Sequence, residues 1–197
     1  MKNWYPTYYY ESQCWYRMSF LVNQTNYICE SNSIYQSGCH FSCMAMILGV
    51  NPAYLANLLA VKGYFSIDCT GLMWDQNKPS IKDEQISIVK HHNKDGFQNS
   101  KSIKLIDIYS SDSLTKLEGV IQKYHQKDIH IIIGTKTHSL LVAGETDNSF
   151  YVWDPNTEIE KNESKAISNN VNGIYDLDWV FKHYKAKVLE IWVYKVT

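Results

Sequence analysis

Residues 33–50 read SIYQSGCHFSCMAMILGV. Between Cys39 and Leu48, the residues Phe41, Met44, Ala45, Met46, Ile47 and Leu48 are apolar on nearly every helical face. A surface helix shows one apolar stripe, so this pattern predicts a buried helix. Gly49 ends it, because glycine adopts the left-handed backbone of a helix C-cap without steric cost. Cys39 opens it, directly after Gly38. The same stretch that fixes a buried helix therefore raises a chemical question. Cys39 and Cys43, with His40 between them, read as metal ligands, as buried thiols, or as a nucleophile seated at a helix start.

Outward from this helix, NPAYLANLLAVKGYF (51–65) predicts a second one, with Asn51 as N-cap and Pro52 at the first helical position. Upstream, the aromatic-rich first 30 residues read as extended or looped, and SFLVNQTNYI (19–28) as a short strand running into a turn. Residues 68–108 are polar and mixed, with HHNKDGFQNSKS (91–102) read as an exposed loop. Leu114, Leu117, Val120, Ile121 and Tyr124 recur at helical spacing within 111–126, and Ser111 or Ser113 caps that helix. Strands follow at 129–133 (IHIII), 138–144 (HSLLVAG) and 149–154 (SFYVWD), with TDN (146–148) as a hairpin turn. A helix near DLDWVFKHYK (176–185) and a strand VLEIWVY (188–194) close the pattern. The fold class is α+β, with N-terminal helices packed on a C-terminal antiparallel sheet.

The 197 residues suit one domain, 1–197, able to bury its own core. Nineteen basic against 20 acidic side chains leave a net charge of -1, which gives no electrostatic case for nucleic acid or an anionic membrane. No run of about 18 apolar residues is present to span a bilayer. MKNWYPTYYYESQCWYRMSF lacks the apolar core of a secretion signal, so synthesis is expected in the cytoplasm. The five cysteines are an odd set scattered over the first 70 residues, which argues for a reducing compartment over a disulfide scaffold.

Zinc needs three or four compact ligands, and Cys39-x3-Cys43 has no second pair to complete it; Cys69, His91 and His92 are recruits that no spacing demands. No metal or cofactor is expected. Cys43 lies inside the apolar helix and reads as core. Cys39 sits where backbone N–H groups and the positive helix end favour a thiolate and can hold an oxyanion. By position alone it reads equally as structural or catalytic.

A cysteine nucleophile needs a base, and the base an orienter. His138 begins one strand and Asp154 ends the next. An odd turn of three residues centred on Asp147 pairs Leu140 with Asp154 and makes His138 and Asp154 diagonal neighbours on one face. A two-residue turn puts them on opposite faces. Each also has a plainer reading, His138 as a polar strand end and Asp154-Pro155 as a turn. His40, His125, His130 and His183 read as surface or partly buried.

YQSGCHFSCMAMILG, THSLLVAG and FYVWDP, in this order, resemble the C39-like cysteine peptidases, a papain-like group, over roughly residues 20–185. The resemblance is closest to stand-alone lysin-type members of phage and bacterial origin. It implies a papain-like fold, with Cys39 as nucleophile, His138 as general base and Asp154 as its orienter. It also implies an upstream glutamine at the oxyanion hole, Gln24 in preference to Gln36. Thr137 stands where the family often has glycine. The implied activity is hydrolysis of peptide or amide bonds, with the peptide part of peptidoglycan as the leading substrate, reached once the enzyme is released onto the wall. The alternatives are an intracellular peptidase acting on proteins and an inactive papain-like binding module.

Overall fold

The computed structural model describes residues 2–5, 19–21, 28–33, 38–55, 86–91, 98–126, 128–135, 138–156, 173–183 and 189–197. Among them the helices are α1 (Cys39–Leu48), α2 (Leu114–Tyr124) and α3 (Leu177–His183). The strands are β1 (Lys2–Asn3), β2 (Ser19–Leu21), β3 (Ile28–Ser33), β4 (Ile86–His91), β5 (Gln98–Ser111), β6 (Ile129–Gly134), β7 (Ser139–Glu145), β8 (Phe150–Trp153), β9 (Ile174–Asp176) and β10 (Leu189–Val196). The chain is an α+β protein built on an antiparallel sheet in the order β4-β5-β10-β6-β7-β8-β9, with β1 added on β7. β2 and β3 pair separately.

Alternation along the strands divides the core in two. Leu189, Ile191 and Val193 of β10 join Ile131, Ile133, Leu140, Val142 and Val152 beneath α2 and α3. The other face carries Tyr194, Val196, Ile132, Leu141 and Trp153, and α1 lies across it. α1 has the predicted bounds, and every residue after Cys39 is buried. Gly49 caps it at φ 63°, in the left-handed region. Asn51 caps the next turn, its Oδ1 accepting the Ala53 N–H at 2.8 Å, and residues 52–55 are helical. The remainder of the predicted second helix lies outside the described residues.

The sheet departs from expectation in the middle of the chain. Residues 86–91 and 98–108, expected as mixed and partly looped, belong to β4 and β5, and β5 runs on to Ser111 and pairs with β10 over most of its length. The helices therefore do not precede the sheet; α1 covers one face and the later helices the other. In α2, Ser113 takes the N-cap position without a side-chain capping bond. The Ser111 hydroxyl instead accepts the Ser113 N–H and donates to its carbonyl, an ST-type turn leading into the helix.

The β7–β8 hairpin is the element that places the site. Its turn is even: Thr146 donates its N–H to Ser149 O at 2.7 Å, and Glu145 pairs with Phe150. By itself that turn would send His138 and Asp154 to opposite faces. Between Val142 and Gly144 the register shifts by one, leaving Ala143 as an extra residue, and beyond this bulge Val142 faces Val152 and Leu141 faces Trp153. Continued one step, that register sets Leu140 opposite Asp154. The predicted pairing at the strand ends is present, through an even turn plus a bulge where an odd turn was expected. The Ala143 carbonyl accepts the Trp4 N–H at 2.9 Å. A Cβ on Gly144 would run into Lys2 O and the Tyr151 ring, so only glycine fits where β1 crosses the bulge.

Candidate active site

His138 and Asp154 stand one residue outside β7 and β8, at the strand ends that the shifted register brings to one face. Asp154 Oδ1 lies 2.6 Å from His138 Nε2, and both side chains are buried. The same oxygen accepts the Asn156 N–H at 2.7 Å, while the Asp154 N–H donates to Gly173 O at 2.6 Å. Asp154 therefore is the turn residue its Asp-Pro context suggested and is also bonded to the imidazole. His138 is held by its backbone as well. Its N–H donates to Thr135 Oγ1 at 2.9 Å, and its carbonyl accepts the Thr135 N–H at 2.7 Å. Sequence reasoning passed over Thr135, whose signal is a hydroxyl residue three positions before His138.

Cys39 is the first residue of α1, preceded by Gly38 as an N-cap that offers no side-chain bond. The first helical bond runs from the Ser42 N–H to Gly38 O at 2.9 Å. The positive end of the helix therefore bears on the sulfur. Cys39 is free and half-buried. His138 lies close enough to act on its thiol. With Nε2 committed to Asp154, Nδ1 is the ring nitrogen left for the thiol.

The electrostatics follow from this geometry. Burial opposes a charge on Cys39, but the hydrogen bond and positive charge of His138, with bonds from Ser139, outweigh it and hold the thiol below its ordinary value. Burial likewise opposes a charge on His138, yet Asp154 by charge and hydrogen bond, and then Cys39, raise it to about 10. With the thiol lowered and the imidazole raised, a proton shared between the two sits on His138 in preference to Cys39. Cys43 is the opposite case. Burial, and then the charges of Cys39 and Asp154, push its thiol well up, and its Sγ donates to Ser139 O at 3.6 Å. It is core, as its helical position predicted.

His40 corrects the sequence reading of it as surface or partly buried. It is buried beneath β7 and β10, with Nε2 2.7 Å from the Tyr194 hydroxyl and Nδ1 3.2 Å from Ser139 Oγ. Burial lowers its pKa to about 3. His125 and His130 are partly buried, as expected. Gln24 and Gln36 lie outside the described residues, as do Cys69 and His92. Among the described residues no group of three or more His, Cys, Asp or Glu side chains is arranged to hold a metal ion, and no helix is long and apolar enough to cross a membrane.

A nucleophile at a helix start, a base beside it and a carboxylate behind the base can carry out acyl transfer. Comparison of the chain with protein-family models, curated proteins and solved structures finds no match in any of the three.

Proposed function

We propose that the protein is a papain-like cysteine hydrolase that cleaves peptide or amide bonds, with the peptide part of bacterial peptidoglycan as its substrate. The observation that carries the reaction class is the array Cys39–His138–Asp154, with 2.6 Å between base and carboxylate and His138 acting on the thiol. The wall substrate rests on the resemblance of three sequence segments to lysin-type members of the C39-like group.

In this reading the Cys39 thiolate attacks the scissile carbonyl carbon, and the carbonyl oxygen takes up the negative charge. Backbone N–H groups at the start of α1 face that oxygen, with the Gln24 amide as the second donor; one such donor is worth roughly 3 kcal/mol of transition-state stabilisation. His138 passes its proton to the leaving amine, and an acyl-thioester remains. His138, now neutral, takes a proton from water, whose oxygen attacks the thioester and releases the acid and the thiolate. Asp154 fixes the ring tautomer and stabilises the imidazolium at both charged stages.

Purified cell walls incubated with wild-type protein are expected to lose turbidity and gain free amines, and Cys39→Ala is expected to abolish both. New reducing ends, marking sugar cleavage, would sink the thiol mechanism. Intact walls alongside Cys39-dependent cleavage of casein-type proteins would move the substrate to protein. Inertness on both, with no preferred cysteine in thiol labelling, would mark a binding module.

A further inference from the structure

The triad leaves a buried polar chain beside it unexplained. It starts at Tyr194 in β10, runs through His40 in α1, and ends on Ser139, the first residue of β7. All three are buried, and burial of this kind is costly unless each polar group finds a partner of the right sense. The Ser139 carbonyl takes the Cys43 thiol from the same helix at 3.6 Å, and the Ser139 side chain favours the Cys39 thiolate, so the chain ends beside the sulfur. Among the described residues His138 acts on the Cys39 thiol, Cys39 and Asp154 act on Cys43, and His40 lies between Ser139 and Tyr194.

The direction of these bonds follows from proton counting. A thiolate only accepts, so the Ser139 O–H points at sulfur. The Ser139 oxygen then accepts from His40 Nδ1–H. A neutral imidazole carries one proton, so Nε2 is bare and accepts the Tyr194 O–H. Every bond in the series points the same way, from Tyr194 towards Cys39. The reverse direction would aim a serine lone pair at a negative sulfur.

We propose that Ser139 is a catalytic hydrogen-bond donor to the Cys39 sulfur, and that His40 and Tyr194 are positioning residues that keep this donor turned towards it. The inference rests on Cys39 being the nucleophile. It assigns the thiolate a second donor beside His138, one that keeps its proton while His138 gives its own to the leaving amine. When the thiolate is reformed at the end of the cycle, the donor is already in place.

The test reads the thiol itself and needs no substrate. The rate of Cys39 alkylation by iodoacetamide, followed by mass spectrometry across pH 3–9 on the full chain, reports the thiolate fraction. Wild type is expected to show an acid limb well below that of free cysteine. Ser139→Ala is expected to move the limb up by about one unit, a tenfold change in the ratio of thiolate to thiol. Ser139→Thr, which keeps the hydroxyl, is expected to restore it. Tyr194→Phe is expected to move it in the same direction by less. An unmoved limb in a folded Ser139→Ala protein overturns the proposal. Should that variant not fold, an unmoved limb in Tyr194→Phe overturns it instead. A wild-type Cys39 no more reactive than free cysteine overturns the hydrolase reading beneath it, and so the two failures are distinguishable.

Discussion

Asp154 shows how one side chain serves both the backbone and the chemistry. Its Oδ1 accepts from the Asn156 N–H and from His138 Nε2, so the turn and the base are held by the same atom. Asp154→Asn keeps an oxygen there for Asn156 but removes the charge that raises the His138 pKa. The variant is expected to fold, with a melting temperature close to wild type, and to hydrolyse substrate about 10²–10⁴-fold more slowly. The measurement is kcat/KM beside a thermal melt. Cys39, His138 and Asp154 were legible in the sequence because each sits at an element end, and element ends are marked by Gly, by the onset of an apolar run or by Pro. His40 was not. Its neighbours in sequence suit any helix, and what buries it is Tyr194, 154 residues away. Ser139 was passed over for a related reason: as a strand's first residue it looks like any small polar group until its partners on α1 are known.

At the level of the hairpin, parity decides everything. The sequence locates the strands and the turn, but a bulge leaves no mark when the extra residue is an alanine among apolar neighbours. The expected pairing at the far end was reached with the wrong turn, and the bulge supplied the missing residue. Deleting Ala143 is therefore expected to turn His138 away from Asp154 and to abolish Cys39 alkylation at acid pH. Adding one residue between Asp147 and Asn148 on top of that deletion restores the chain length between His138 and Asp154. The double variant is expected to recover the reactive thiol, and its failure to do so in a folded protein would rule out the parity account. A second bulge explains the strands missed in the middle of the chain. Ile103 and Leu105 are buried with Lys104 exposed between them, an alternation typical of strands. The register against β10 then slips at Ile106, which is left exposed, and Ile108 resumes on the face the earlier parity denies it. Broken alternation reads as loop.

For the whole molecule, these buried groups set the dependence of stability on pH. His40 has its pKa lowered from 6.5 to about 3, so its contribution is present above 6.5 and is lost as pH falls towards 3. Cys39, held below 9.0, contributes fully above 9.0 and less as pH falls. His138 is raised from 6.5 to about 10, so its contribution is complete below 6.5 and is lost as pH rises through 10. From the lowered pKa of Cys39 up to 9.0 the Cys39 gain and the His138 loss cancel, since folded and unfolded chains then bind the same number of protons at this pair. A plateau is expected over that range, with an alkaline decline as His138 loses its proton and an acid decline below 6.5 as His40 gains one, measured as urea midpoints across pH. His40→Gln is expected to flatten the acid decline and leave the alkaline one in place.

The span of chain between the nucleophile and its activators also has a meaning in time. His40 is separated from Ser139 by 99 residues and from Tyr194 by 154. A ribosome therefore delivers Cys39 early and the groups that make it reactive late. Until the β7–β8 hairpin has emerged and β10 has slotted between β5 and β6, the sulfur remains an ordinary thiol, mostly protonated at neutral pH. Partial chains released by stalled translation would carry the nucleophile without its chemistry. On the proposed reading, the order of the sequence keeps unfinished copies inert.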